Sequence, residues 1–396
     1  MSPALVVLLL SLLLGLQPVT TDLYLPALPA LKQSFGATMA QAQLTLSALL
    51  LAFGLSHLVW GPLADRYGRR PVLLLGLSAY VLAAIASAMA ASMQMLIALR
   101  AVQGVAMGAS VVCARAIVRD LYPPAEGTRM MSKGLTGLGV LACASTPLGG
   151  LLTEVFNWHA ALLALAVFAA LTLALVALRF KETAPLHTSP ASSPRALLQT
   201  WSEIARNPTF RAFSALASAS YGGLFTLLAT SPFVFIGALG YSSLEYGALM
   251  FSVSAVYIAG TFACRWLLAR VGVRRSVAIA AGFTLAGGTM AGVASWAGWI
   301  EPGRSVVLIV PMVLFMLAHG VHQSCGQGGA VGPFPQAAGA AAALNGFVMM
   351  VVAFAMGSWL GTHMDQTVLT LSQGLWFWSV CIAAVAWSAV RKHSPT

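Results

Sequence analysis

Twelve stretches of this chain are long enough to cross a lipid bilayer and carry scarcely a charge. They occupy residues 4–30, 40–61, 71–91, 94–117, 131–154, 158–179, 209–237, 243–264, 276–298, 304–327, 337–361 and 368–390. The first, "ALVVLLLSLLLGLQPV", sets the pattern. A spanning helix needs ~20 apolar residues, whereas the strands of a membrane barrel alternate in segments of ~10. Runs this long and uniform predict helices and exclude a barrel. Hydrophobic residues are 59% of the chain and charged residues 8%, against about 25% charged in a soluble domain. A soluble core stops growing at roughly 250–300 residues, so lipid must solvate most of this surface. The first run has no basic segment before it and outlasts the apolar region of a signal peptide; it reads as the first span. The expected fold class is all-α, a membrane protein of twelve transmembrane helices.

The few charges orient the bundle. With the N-terminus cytoplasmic, Arg66, Arg69, Arg70, Arg115, Arg119, Arg129, Lys133, Arg179, Lys181, Arg195, Arg206, Arg211, Arg265, Arg270, Arg274, Arg275, Arg391 and Lys392 all fall inside, 18 of the 21 Lys and Arg. Lys32 and Arg304 fall outside, and Arg100 lies within a run. A bias of this kind sets topology, so both termini are expected in the cytoplasm. It also accounts for most of the net charge of +11 through lipid anchoring, with no nucleic acid as partner.

Polar residues 181–208, "KETAPLHTSPASSPRALLQTWSEIARNP", divide the runs six and six. They predict a cytoplasmic linker with a short amphipathic helix at "RALLQTWSEIA". The expected organisation is an N-terminal six-helix bundle over 1–180, the linker over 181–208, and a second bundle over 209–396. The two bundles are related as repeats. "GPLADRYGRRP" at 61–71, between the second and third runs, returns as "ARVGVRR" at 269–275, between the eighth and ninth. Arg66, Gly68 and Arg70 match Arg270, Gly272 and Arg274 at an offset of 204, while Asp65 meets Ala269. Repeated halves are a transporter signature.

Single polar residues inside the runs are the candidate site. Asp22, in "LQPVTTDLYLPALP", is the one acid placed inside the core of a predicted span, away from its ends; Glu245, Glu301 and Asp365 sit at outer loops. An ionisable group at membrane depth is costly and usually functional, and a carboxyl can be charged in one state and neutral in another. Proton coupling is one reading; a solvated acid at the outer mouth, or a cap on a broken turn before Pro26, is the other. Arg100 needs an acid, a carbonyl cluster or water, unless it snorkels outward. His319 and His322, three apart in "LAHGVHQSCGQGG" with Gln323 and Gln327, share one helical face. That pattern fits a proton relay, a substrate contact or packing polarity, and lacks a third ligand for a metal. Tyr24, Tyr221, Phe225, Tyr257, His322 and Asn345 are candidate cavity residues by run and depth. Cys113, Cys143, Cys264, Cys325 and Cys381 predict free thiols. No nucleophile elbow, phosphate loop or HExxH pattern is present. The expectation is a transporter rather than an enzyme, without cofactor or metal, driven by an ion gradient.

At this point the chain resembles the major facilitator superfamily. The turn matches that family's Gly-x-x-x-Asp-Arg-x-Gly-Arg-Arg at Gly61, Asp65, Arg66, Gly68, Arg69 and Arg70. The fourth run matches Arg-x-x-Gln-Gly at Arg100, Gln103 and Gly104. On the fifth, "STPLGG" supplies Pro147, Gly149 and Gly150 of a motif that marks drug–proton antiporters, with Thr146 where the family has Gly. "TDLYLPALP" and "ARAIVRDLYP" are similar to the bicyclomycin and chloramphenicol resistance branch. The resemblance implies two pseudo-symmetric six-helix bundles that rock about a central cavity, a monomer, and proton-coupled efflux of small amphipathic compounds. A carrier of one metabolite, such as a nucleoside, would share these motifs. The resemblance also brings the first and fourth runs to the cavity, where Arg100 would face Asp22, and sends Asp65 to the eleventh run as a conformational clasp. Arg69 or Arg70 would pair with Asp120 at the base of the fourth run.

Overall fold

The computed structural model describes residues 1–184, 194–364 and 368–393. The linker stretch 185–193 and Asp365 lie outside them. The described residues are helical, and no strand occurs among them. In chain order the helices are α1 (Pro3–Asp22), α2 (Leu28–Ser34), α3 (Met39–Tyr67), α4 (Arg69–Ala88), α5 (Met93–Leu121), α6 (Pro124–Val155) and α7 (Trp158–Arg179). There follow α8 (Pro194–Arg206), α9 (Pro208–Pro232), α10 (Ser243–Trp296), α11 (Val306–Val331), α12 (Ala338–His363), α13 (Val368–Val385) and the short α14 (Arg391–His393). α8 forms where the linker's amphipathic stretch predicts a helix.

Among the described residues, eleven helical stretches are long and apolar enough to span a membrane. One of them, α10, is 54 residues long, roughly 80 Å at 1.5 Å per residue, far more than a ~30 Å hydrocarbon core. It bends at Gly272, whose φ of 74° and ψ of 175° leave the helical region. α10 is therefore two spans, which gives twelve. Gly68, 204 residues earlier, sits between α3 and α4 with φ 95° and ψ 162°. Both copies of the repeated turn thus reverse the chain through one glycine in a left-handed conformation that side chains resist.

Helix starts follow their sequence signals. Thr38 and Gln41 form a capping box on α3. Ser92 accepts from Met95 N on α5, and Asn157 accepts from His159 N and Ala160 N on α7. The first span is broken: α1 ends at Asp22, and a 3-10 turn at Leu25–Ala27 precedes α2.

The chain divides into two compact units, residues 1–193 with 243–247 and residues 194–242 with 248–396. In the first, α1 packs on α6, α3 on α5, and α4 on α5 and α7. Small residues permit the closest of these contacts. A Cβ on Gly104 would overlap the Leu49 carbonyl, and one on Gly108 would overlap Ser56 Oγ. In the second unit α9 packs on α11, α12 and α13. There α10 and α11 meet backbone to backbone at Gly320 and Gly260.

Candidate functional site

Arg100 on α5 is fully buried. Nη1 donates to Gln103 Oε1 at 2.8 Å, Nη2 to the Thr20 carbonyl at 3.1 Å and Nε to the Thr45 carbonyl at 3.4 Å. The guanidinium lies 4.3 Å from the centre of the Tyr24 ring. Gln103 Nε2 donates to Ser87 Oγ at 3.0 Å, Tyr24 donates to Thr45 Oγ1 at 2.9 Å, and Thr20 Oγ1 meets the Tyr80 hydroxyl at 2.6 Å. One cation thereby joins α1, α3, α4 and α5. It does not snorkel. Carbonyl dipoles and an aromatic face compensate its charge in place of a carboxylate.

This corrects the expected Asp22–Arg100 pair. Asp22 is the last residue of α1, half-buried, and its Oδ1 accepts from Thr21 Oγ1 at 2.8 Å. The guanidinium's acceptors are Thr20, Thr45 and Gln103. What links Asp22 to Arg100 is two residues of helix backbone, since Thr20 supplies a carbonyl to the guanidinium.

The charged turn forms a second cluster. Arg69 Nε lies 2.9 Å from Asp120 Oδ2 and Nη2 3.4 Å from Oδ1. Arg69 Nη1 lies 2.8 Å from Asp65 Oδ1 and donates to the Ala64 carbonyl at 2.6 Å. Arg119 Nη2 adds a contact to Asp65 at 3.5 Å. Of the two arginines expected near Asp120, Arg69 is the one that meets it. Arg70 Nη2 instead donates to the Ala177 carbonyl on the last turn of α7 at 2.9 Å. Arg66 stacks over Tyr67, and Gly61 has open space where a Cβ would stand.

The sequence reading missed Glu182 and Thr183. Glu182 Oε1 accepts from Arg69 N at 2.8 Å, and Oε2 accepts from Arg70 N at 2.9 Å. Thr183 N and Ala184 N also donate to Glu182, each at 2.9 Å. Thr183 Oγ1 donates to Asp120 Oδ2 at 3.4 Å. Partial burial pushes the Glu182 carboxyl up, but these four backbone N–H groups outweigh it and hold it below the usual carboxylate range. In "FKETAP" the residue reads as ordinary linker polarity, and only its place just past a helix end hints at a capping role.

The motif on the fifth run sits within α6. Pro147 is inside the helix, Gly149 abuts the Leu23 carbonyl just beyond Asp22, and Gly150 abuts the Ser243 carbonyl. In the second unit His319 Nδ1 is 2.7 Å from Ser220 Oγ, with the Tyr257 ring 5.4 Å away. His322 Nε2 is 3.0 Å from Thr284 Oγ1. Gln323 Nε2 donates to the Ala217 carbonyl and Gln327 Nε2 to Gln323 Oε1, both at 3.0 Å. Both histidines are buried. Four of the expected cavity residues are buried. Tyr24 lies under Arg100, and Phe225, His322 and Asn345 are buried in helix packing. Tyr221 and Tyr257 keep partial exposure. The five cysteines are free, with Cys264 and Cys325 sulfurs 3.8 Å apart.

The family profile described as Major Facilitator Superfamily matches residues 10–358. The chain belongs to that superfamily. As a superfamily member it is a multi-pass membrane transporter, not an enzyme. It is 30% identical over 365 residues to Multidrug resistance protein D of Escherichia coli (strain K12), covering 91% of this chain and 89% of that one. It is 26% identical over 356 residues to the Bicyclomycin resistance protein homolog of Haemophilus influenzae (strain ATCC 51907 / DSM 11121 / KW20 / Rd), covering 89% and 87%. The superfamily fold is shared with the crystal structure of a D-xylose–proton symporter, at a TM-score of 0.77 and 16% identity over 97% of this chain and 96% of that one.

Proposed function

We propose that this protein is a proton-coupled exporter of small amphipathic compounds. It acts by alternating access in the bacterial inner membrane, as a monomer with both termini and the 181–208 linker in the cytoplasm. Relatives named for multidrug and bicyclomycin resistance support the substrate class. The observation that carries the coupling is Asp22 at the break between α1 and α2. A carboxylate that ends a helix inside a span can take up a proton and change how that helix end packs. Two residues before it, the Thr20 carbonyl holds the buried Arg100. Protonation at Asp22 is thus felt where α1, α3, α4 and α5 meet.

The charged turn serves as the conformational clasp. Its Arg69–Asp120 pair favours the state in which it is closed, and a bias of that kind shifts a two-state equilibrium by its differential stabilisation. The test is the purified protein in liposomes with an imposed pH gradient and ethidium as the amphipathic cation. Accumulation driven by the gradient supports the reading. Ethidium movement that ignores the gradient excludes proton coupling.

A further inference from the structure

We propose that Glu182 is a positioning residue of the transport cycle: it caps α4 from just beyond the end of the neighbouring α7 and ties the start of the linker to the Arg69–Asp120 clasp. The proposal rests on the clasp reading of the charged turn.

α4 has an exposed electrical problem. Its first two residues are Arg69 and Arg70, placed where the helix dipole favours negative charge. α1, α3, α5 and α7 each begin at a Ser, Thr or Asn whose side chain accepts from the first turn. α4 begins at Gly68, which has no side chain. Two orphan N–H groups there need an acceptor from elsewhere.

Glu182 supplies both. It lies beyond the end of α7, more than a hundred positions along the chain, and its two oxygens take the Arg69 and Arg70 amides separately. The fit constrains the turn: a Cβ on Gly68 would stand in the space of the Glu182 carboxylate. Gly68 is therefore needed twice, for its left-handed φ and for the room it leaves. The contact is reciprocal. Arg70 reaches back to the Ala177 carbonyl, a cation at the C-terminal end of α7 where the dipole favours it. An acid following α7 thus caps the start of α4, and a base at the start of α4 caps the end of α7.

The link to the clasp runs through the adjacent residue. Thr183 Oγ1 donates to Asp120 Oδ2, the same oxygen that takes Arg69 Nε. The segment of linker described, through Ala184, is held in a tight turn by the Glu182 carboxylate itself. Pulling that segment away would uncap α4 and remove one donor from Asp120 together. The linker's first residues and the clasp therefore respond as one element.

The experiment compares backbone amide exchange at Arg69 and Arg70 in the full chain, in lipid nanodiscs, for wild type, Glu182→Gln and Glu182→Ala. Gradient-driven ethidium transport is measured on the same samples. Loss of the cap in Glu182→Ala should speed exchange at those amides by roughly tenfold, the scale of one lost helix cap. Exchange across α5 and α7 should stay as in wild type. Transport should lose Vmax with KM held, and Glu182→Gln, which keeps an oxygen acceptor, should recover part of both effects. Unchanged exchange at Arg69 and Arg70 overturns the cap. Faster exchange with unaltered transport, or faster exchange throughout the bundle, overturns the positioning role. The exchange arm needs no substrate, so a wild-type protein that moves no ethidium would count against the export reading while the cap is still decided.

Discussion

Arg69 and Asp120 meet side by side, with Nε 2.9 Å and Nη2 3.4 Å from the two carboxylate oxygens. Their side chains retain only 3% and 6% of their exposure, so this is a desolvated pair, unlike the Arg119 contacts at the surface. Breaking one partner of such a pair leaves a buried charge and costs about 3–5 kcal/mol.

Reversing either charge should therefore abolish transport and lower thermal stability. Arg69→Asp with Asp120→Arg should regain part of both, because the pair is local to α4 and α5. The recovery will be incomplete, since Arg69 also bonds Asp65 and the Ala64 carbonyl. Transport assays and melting curves on the singles and the double decide it. A double no better than the worse single would mean that the pairing has no functional weight.

Arg100→Lys should cost more than a conserved charge suggests. The guanidinium reaches three acceptors and covers the Tyr24 ring, and a lysine ammonium is a point charge that cannot match that fork. Transport should fall at least ~tenfold and stability by about 1–3 kcal/mol, the cost of buried acceptors left unmade. Equal activity and melting temperature in Arg100→Lys would show that only the charge matters.

The Glu182 cap sets a pH expectation whose sign can be worked out. Four backbone N–H groups hold this carboxyl below its ordinary range. Stabilisation by a depressed carboxyl is present above its unfolded pKa and is lost as pH falls through the folded one. Protection of the Arg69 and Arg70 amides, corrected for intrinsic exchange, should therefore stay flat from about pH 6 to about pH 8. It should drop only in acid, below the usual carboxylate range. A step in protection near neutrality would assign the cap to another group.

How much of this was legible in the sequence depends on the kind of signal. The spans were readable because lipid demands long apolar runs, and the repeated turn was readable because Gly68 and Gly272 keep one spacing. The partners of Arg100 were hidden because two of its acceptors are backbone carbonyls, which every residue carries. Glu182 was hidden by distance along the chain. The burial of Tyr24, Phe225, His322 and Asn345 was not legible because depth along a helix does not fix which way its face turns.

The central claim is that Asp22 exchanges the coupling proton. The direct measurement is proton release from the detergent-solubilised protein when ethidium is added, in wild type and in Asp22→Asn. The account predicts release from wild type and none from Asp22→Asn, which mimics the protonated carboxyl permanently and still binds the compound. Equal proton release from both proteins would contradict it.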